Sequence, residues 1–490
     1  MNAFLHSPSR PCPLAEVPRW DFASEVVVVG FGAAGAAAAI EAAEAGAQVL
    51  LFEAASGSGG TSALAGGDIY LGGNGGTPAQ RANGFEDQSE DMLRYMMMAG
   101  GPDADAARVR LYVDNALNHY GWLKSQGIPY RNTYLPGKRL APATGDCLIW
   151  SGSEAAWPFS EQAKPAPRGH LPEIAAMGGR LLVDTLAARA AEKGVQVQYD
   201  AKALALIAGA NNRVEGVVVR IDGEARFARA RRGVVLATGG FVLNKEMLAR
   251  FAPHAFRLGN DALSAGHDDG SGIRMGMSVG GAAIHMDQIF TTLPFYPPED
   301  HVKGIFVNSQ GQRFINEDAY PGRIAAHCLK QTGDRFWLLA DNAIFSRPLE
   351  YARLEIAAVA ESWEEIEREL GLPADTLSHT VAVHNRHAAK GEDPLFHKAA
   401  NWLKVLNEPP YVAIACHFGQ AFFSYFTLGG LHVKPTGEVL NADGQVVPGL
   451  YACGRTVSGL PRWGEGYSSG FSLGDCTFFG RLAGRSAATA

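Results

Sequence analysis

The chain has no apolar run of transmembrane length, so no integral membrane segment is expected in its 490 residues. It has no excess of positive charge either. The formal net charge is −7, and the tightest arginine group, Arg226, Arg229, Arg231 and Arg232, reads as the solvated edge of a strand. Nucleic acid is therefore not an expected partner. The six cysteines, Cys12, Cys147, Cys328, Cys416, Cys453 and Cys476, are scattered and include no CxxC pair. That argues against disulfides and zinc and suits a reducing, cytoplasmic setting. The 14 histidines show no HExxH or similar spacing, so no metal is expected. Residues 1–20 lack an apolar core segment and carry Pro8, Pro11, Pro13 and Pro18; they read as a flexible arm and not as a signal peptide.

What the chain has in abundance is glycine, 58 residues in a globular composition that is 47% hydrophobic. Its organising stretch is Glu25-Val-Val-Val-Val-Gly30-Phe-Gly32-Ala33-Ala34-Gly35, followed by more alanine. Four successive valines predict a strand buried on both faces, and the alanine run predicts a helix. Gly30 permits the tight turn, Gly32 lets backbone approach a pyrophosphate, and Gly35 lets helix pack closely on strand. The free N–H groups of the helix start favour phosphate there. A second apolar strand, Gln48–Phe52, ends in Glu53, the separation at which a carboxylate meets ribose hydroxyls. The run Ser56–Tyr70 follows directly and contains Ser58, Gly59, Gly60, Thr61, Ser62, Ala65, Gly66 and Gly67. A second glycine-rich loop in that place predicts FAD, held by backbone and, with no histidine in the loop, non-covalently. Only one GxGxxG occurs, so no separate nicotinamide-dinucleotide site is expected.

Helical spacing covers 87–99, 104–126 and 179–193, whereas 131–178 is irregular and reads as a lid or site wall. Segments 195–199, 203–207, 213–221 and 225–230 alternate as strands of an antiparallel ribbon. Gly233–Gly240, with Ala237, Thr238, Gly239 and Gly240, reads as a buried strand ending in a glycine pair, and the loop at 266–272, with Asp269, as the lead into a helix. From 286 to 410 aromatics and prolines take over, and the dinucleotide pattern resumes at Leu428 and Gly449–Arg455. The fold class is therefore α/β: a Rossmann-like FAD-binding domain (21–285 and 411–490) of the glutathione-reductase/fumarate-reductase type, interrupted by an α+β capping domain (286–410). Gly454 and Arg455 close its last strand; Ser472 and Leu473 open a final helix whose N-terminus would face the flavin. Phe290, Phe295, Tyr296, Phe418, Phe422, Phe423, Tyr425 and Phe426 suit an apolar cleft wall, and the alternation in 422–426 equally fits an ordinary half-buried strand.

Taken together, the fingerprint, the SGxGGxS loop, ATGG, the stretch Val307–Glu317 and GLYACGR resemble the fumarate reductase/3-ketosteroid dehydrogenase flavoprotein superfamily. Three stretches, Pro165–His170, Glu317–Ile324 and Gly466–Asp475, resemble the 3-ketosteroid Δ4-(5α)-dehydrogenases, which use FAD to oxidise the C4–C5 bond of a saturated 3-ketosteroid. The resemblance implies an oxidoreductase acting on CH–CH donors, with a steroid substrate and an external electron acceptor such as a quinone. It also implies roles: Tyr467, with the N–H of Gly470, donates to the C3 oxygen. Tyr320 and Ser469 take the C4 proton, and the C5 hydrogen leaves to flavin N5 as hydride. Structural roles for the same residues are a helix N-cap for Ser469 and cap-domain packing for Tyr320. A fumarate-reductase-like enoate reductase would need an arginine near Ser472, and Arg323 is displaced by Pro321-Gly322 from the place of an arginine acid. A Δ1-dehydrogenase would carry Tyr-Pro-Gly-Pro-Gly where this chain has Tyr467-Ser-Ser-Gly-Phe. A non-enzymatic electron-transfer flavoprotein would have no use for three such hydroxyls. The loop Leu460–Glu465 departs from the Δ4 pattern.

Overall fold

In the computed structural model, which describes residues 10–140, 144–175 and 177–490, the four-valine strand lies inside a nine-stranded sheet. Strand Phe22–Val29 runs parallel to Val49–Phe52 on one side and to Glu224–Leu236 on the other. Val26, Val27 and Val28 are fully buried, as a strand covered on both faces requires. Helix Ala33–Glu44 covers one face, with its alanines almost all buried. The last helix, Phe471–Thr489, lies directly against it. A Cβ on Gly480 would sit 2.6 Å from the Ala34 carbonyl oxygen, and one on Gly484 would strike the backbone of Ala38. Small residues on both helices make that approach possible.

Strand Glu224–Leu236 joins two architectures. Its first half pairs antiparallel with Val214–Ile221, and its second half runs parallel to Phe22–Val29 and to Val446–Ala452. The two strands expected here are one, and the expected break survives as a register shift between Ala230 and Gly233. Gln196–Gln198, expected in the antiparallel ribbon, instead pairs parallel with Leu50–Phe52. Helix Gly179–Glu192 precedes it and provides the crossover that a parallel strand needs.

The N-terminal arm is also corrected in part. Cys12–Pro13 pairs with Ile207–Ala208 at the sheet edge, and Cys12 is buried among Ala205, Ile207, Val218 and Phe227. Residues 1–9 lie outside the described residues. The segment read as irregular contributes three short strands, Tyr134–Lys138, Leu148–Trp150 and Gly169–His170, which join Ile69–Tyr70 in a four-stranded sheet. Arg168 anchors it. The guanidinium is fully buried, pairs with Asp87 at 2.6 Å, and lies over the rings of Tyr70 and Tyr95 at 6.0 and 5.6 Å.

A second four-stranded sheet is antiparallel, with Ile305–Asn308, Phe336–Ala340, Tyr411–Ala415 and Glu355–Ala360 in that order. Its strand Tyr411–Ala415 belongs to the stretch that the sequence assigned to the FAD-binding domain. Helix Pro321–Leu329 leaves this region with Tyr320 as its N-cap residue. Among the described residues no helix is long and apolar enough to cross a membrane.

Candidate active site

A cavity of about 340 Å3 opens at the carboxyl ends of the parallel strands Phe22–Val29, Val49–Phe52 and Glu224–Leu236, where open α/β sheets bind ligands. Gly30, Gly32, Ala33, Ala34, Glu53, Ser58, Gly60, Thr61, Ser62, Ala237, Thr238, Gly239, Asp269 and Arg455 line it. The other expected cofactor residues, Gly35, Gly59, Ala65, Gly66, Gly67, Gly240, Gly454, Ser472 and Leu473, do not. Several of these serve packing. A Cβ on Gly35 would collide with the Gly30 carbonyl, one on Gly240 would meet Thr427, and one on Gly454 would come within 2.7 Å of the Ala34 side chain. Ser472 and Gly454 line a small adjoining pocket instead.

The carboxylate of Glu53 accepts the N–H groups of Phe31 at 2.6 Å and Ala55 at 2.8 Å, which fixes it at the cavity edge. Sequence reading chose Asp269 in the 266–272 loop and passed over its neighbour. Asp268 accepts hydrogen bonds from Ser264, Thr61 and the N–H of Gly240, and pairs with Arg455 at 2.7 Å. Burial works against its ionisation, but Arg455 and these donors hold its carboxyl below the usual range. Asp269 pairs with Lys202 at 2.8 Å. Lys202 and Arg180 also line the cavity and were missed, because isolated cations on a strand and a helix carry no local motif.

Tyr320, Tyr467, Ser469 and Gly470 come together in a second, adjoining region. The ring of Phe290 ties the tyrosines together, with centroids 4.1 Å from Tyr467 and 6.5 Å from Tyr320. Phe426 lies 4.9 Å from Phe290. The expected aromatic wall thus divides: Phe290 and Phe426 line this region, whereas Phe295 packs on Tyr296 and Phe306, and Phe418 on Phe336 and Phe423. Both tyrosines are buried. Burial raises the Tyr320 hydroxyl well above its ordinary value and pushes Tyr467 up to about 12, so both stay protonated at neutral pH. The Tyr467 hydroxyl donates to Ser472 Oγ at 3.0 Å. The Ser469 N–H is held by the Ser151 carbonyl at 2.8 Å, and the Tyr320 N–H by Ser153 Oγ at 3.0 Å.

The N-cap of the last helix is Gly470, not Ser469, and no side chain caps it. Gly470 sits at φ +92°, and a Cβ there would lie 2.7 Å from the Tyr70 nitrogen. Ser469 is therefore not used as a cap. Burial raises both the Tyr320 hydroxyl and the Asp68 carboxyl, and the Ser469 hydroxyl draws both down. Asp68 was not singled out from the sequence; the visible signal was one charged residue between Gly67 and the apolar pair Ile69-Tyr70.

Residues 25–470 match the FAD binding domain family. The chain belongs to that family. The flavoprotein is similar to the 3-ketosteroid-Δ4-(5α)-dehydrogenase of Rhodococcus jostii RHA1, solved in complex with 4-androstene-3,17-dione. The two are 41% identical, with a TM-score of 0.92, and the match covers 98% of this chain and 99% of that one. It is similar to the 3-oxo-5-alpha-steroid 4-dehydrogenase of Comamonas testosteroni, 29% identical over 90% of this chain and 94% of that protein. It is also similar to a probable fumarate reductase of Shewanella frigidimarina, 28% identical over 95% of this chain and 75% of that protein.

The cavity of this flavoprotein fits FAD. Arg455 Nη1 is buried with no partner among the described residues, on a side chain that lines the cavity, so an anionic or acceptor group is missing there. Helix Ala33–Glu44 starts at the cavity from Gly32, which has no side chain to cap it; Ser62 Oγ accepts the Ala33 N–H at 3.3 Å, and the N–H groups of Ala34 and Gly35 remain for a phosphate. Glu53 keeps acceptor capacity for ribose hydroxyls beyond its two backbone contacts.

The loop that departs from the Δ4 pattern works as a clamp. Trp463 packs against Gly101, and Arg462 bonds the carbonyls of Gly459, Ser458 and Asp103. Glu465 receives Arg323 at 3.1 Å, His327 at 2.8 Å and Lys330, all from or just after helix Pro321–Leu329. Arg323 is thereby occupied. Burial pushes the Glu465 carboxyl upward, yet the His327 and Lys330 hydrogen bonds and the Arg323 charge bring it down to about 2. A depressed carboxylate stabilises the fold above its unfolded pKa of about 4.3, and that contribution is lost as pH falls toward 2. Glu465→Gln should cost up to about 3 kcal/mol near neutral pH and flatten the loss of stability between about pH 4.5 and 2, as read from denaturant unfolding at each pH.

Proposed function

We propose that this flavoprotein oxidises a saturated 3-ketosteroid, introducing the C4–C5 double bond. The observation that carries the reading is the convergence of Tyr320, Tyr467 and Ser469 beside one aromatic wall and next to the FAD cavity. FAD, when bound, supplies the two-electron acceptor for the hydrogen that leaves C5. Tyr467 is the donor to the C3 oxygen. Its high pKa keeps the proton on it, and its present acceptor, Ser472 Oγ, is a neutral group that a ketone can replace. The N–H of Gly470 has no acceptor among the described residues and serves as the second donor. Polarising the ketone acidifies C4, and Tyr320 with Ser469 relays that proton to water, both hydroxyls ending as they began.

Two observations disfavour a dicarboxylate reductase. Arg323 is held by Glu465 over the ring of Phe159, and Ser472, where a substrate arginine would stand, is bonded to Tyr467. An external acceptor, a quinone or similar small molecule, completes turnover. All six cysteines are buried and unpaired, which suits the cytoplasm.

The test is anaerobic mixing of the FAD-loaded protein with a saturated 5α-3-ketosteroid, followed at the flavin band near about 450 nm. Bleaching with a 4-ene product is expected. A 1-ene product, or no bleaching together with reoxidation of the reduced protein by fumarate, would overturn the assignment.

A further inference from the structure

The proposed reaction draws on two side chains from distant parts of the chain. Tyr467 must reach the C3 oxygen while Tyr320 reaches a hydrogen on the neighbouring C4, so the substrate dictates how far apart the two hydroxyls stand. Tyr320 opens helix Pro321–Leu329, and Tyr467 closes the short turn Gly464–Gly466. One carboxylate joins helix to turn. We propose that Glu465 is a positioning residue for this reaction, fixing the Tyr320 hydroxyl relative to Tyr467 through its hold on helix Pro321–Leu329; this rests on the dehydrogenase reading above.

Bonds run the whole way from one tyrosine to the other. The Tyr320 carbonyl accepts the Arg323 N–H at 2.9 Å, and the Arg323 guanidinium reaches the Glu465 carboxylate at 3.1 Å. Two residues beyond Glu465, the Tyr467 N–H donates to the Gly464 carbonyl at 3.3 Å. His327, at 2.8 Å, and Lys330 bond the same carboxylate. Arg323, His327 and Lys330 are spaced four and three residues apart, so they share one helix face. From the first to the last the helix rises about 10 Å.

The apolar contacts here limit approach but not sliding. A Cβ on Gly322 would lie 2.8 Å from the Phe290 ring, and one on Gly464 would strike the Ile289 carbonyl. Ser153 Oγ holds the Tyr320 nitrogen at 3.0 Å and so supplies a pivot. Three cations drawn from one helix face onto a single carboxylate fix the axial position and the rotation of the helix about that pivot. The side chains of Glu465 and Arg323 are nearly buried, and Arg323 Nε has no partner among the described residues. Buried ion pairs contribute little net stability, and their best-attested use is to fix a register. Tyr467 is held separately by the rings of Phe290, Phe426 and Phe471, so loosening the clamp displaces Tyr320 and not the donor to C3.

The experiment uses the FAD-loaded protein and its Glu465→Gln variant. Flavin bleaching by the saturated 5α-3-ketosteroid is followed in a single turnover, with the steroid unlabelled, deuterated at C4, or deuterated at C5. Glu465→Gln should keep its FAD content and its half-saturating steroid concentration within about threefold, while the limiting rate falls about 10²-fold. The C4 isotope effect should rise relative to the C5 effect, because hydride transfer to the flavin does not involve Tyr320. A merely structural role would lower the unfolding midpoint and leave that ratio unchanged. The double variant His327→Gln/Lys330→Met keeps the buried Arg323–Glu465 pair and replaces Glu465→Gln if the latter does not take up FAD. It should slow bleaching about tenfold with the same change in ratio. Bleaching at the original rate, or slower bleaching with an unchanged ratio, overturns the role of Glu465 and leaves the dehydrogenase reading standing. If the unsubstituted protein leaves the steroid untouched, that reading falls and the role of Glu465 with it.

Discussion

Tyr467→Phe is expected to slow oxidation of a saturated 3-ketosteroid by about 10²–10³, the usual effect of removing one donor to a developing oxyanion. FAD content and the visible spectrum should not change. The reason for the separation is geometric. Tyr467 does not line the FAD cavity, its ring is fixed by Phe290, Phe426 and Phe471, and phenylalanine keeps all three contacts. Among the described residues the hydrogen bond lost from the free protein is the one to Ser472, a partly buried neutral contact worth about 1 kcal/mol. Stability should therefore fall little while turnover collapses, with kcat and kcat/KM dropping together. A variant that bleaches its flavin at the original rate would remove Tyr467 from the reaction.

Arg168→Leu should have the largest effect on stability. The guanidinium and the Asp87 carboxylate are both fully enclosed, joined through Nη2 at 2.6 Å and Nε at 2.9 Å. Removing the cation leaves Asp87 buried with, among the described residues, the Gly73 N–H and the Gln80 amide to stabilise it. Breaking such a pair costs about 3–5 kcal/mol. The double variant Arg168→Leu/Asp87→Asn should recover a good part of that, since the uncompensated charge is gone. Denaturant unfolding of the three variants reads the difference. Equal losses in the single and double variants would mean that the arginine matters for its volume between Tyr70 and Tyr95, and not for its charge.

The parts legible in the sequence were those with local causes. Gly30, Gly32 and Glu53 follow from the spacing of one strand–turn–helix unit and a second strand, and the cavity lies against all three. The valine run fixed its strand as internal, because nothing else accommodates four apolar side chains on alternating faces. What failed was non-local. Gln196–Gln198 alternates like its neighbours, and only the preceding crossover helix decides that it pairs with Leu50–Phe52. Cys12–Pro13 pairs with a strand almost 200 residues away, which no window of sequence contains. Gly66 and Gly67 belong to a flavin-type loop by composition, yet Gly67 is spent on close approach to Gly178. Asp68 escaped notice for a related reason: a single acidic residue in a glycine loop is a solvated turn until the rest of the chain buries it.

The contact between helix Ala33–Glu44 and helix Phe471–Thr489 has a consequence for the order of events during synthesis. The phosphate-binding turn is made within the first tenth of the chain, but the helix that seats against its backbone arrives only after residue 470. Strand Val446–Ala452, which completes that side of the parallel sheet, is nearly as late. A nascent chain therefore carries an alanine-rich helix with an uncovered apolar flank through most of translation. Closing so long a loop is slow, and such exposed surface invites chaperones or self-association. The turn that opens helix Ala33–Glu44 is thus fully backed only when the last helix of the chain has been made.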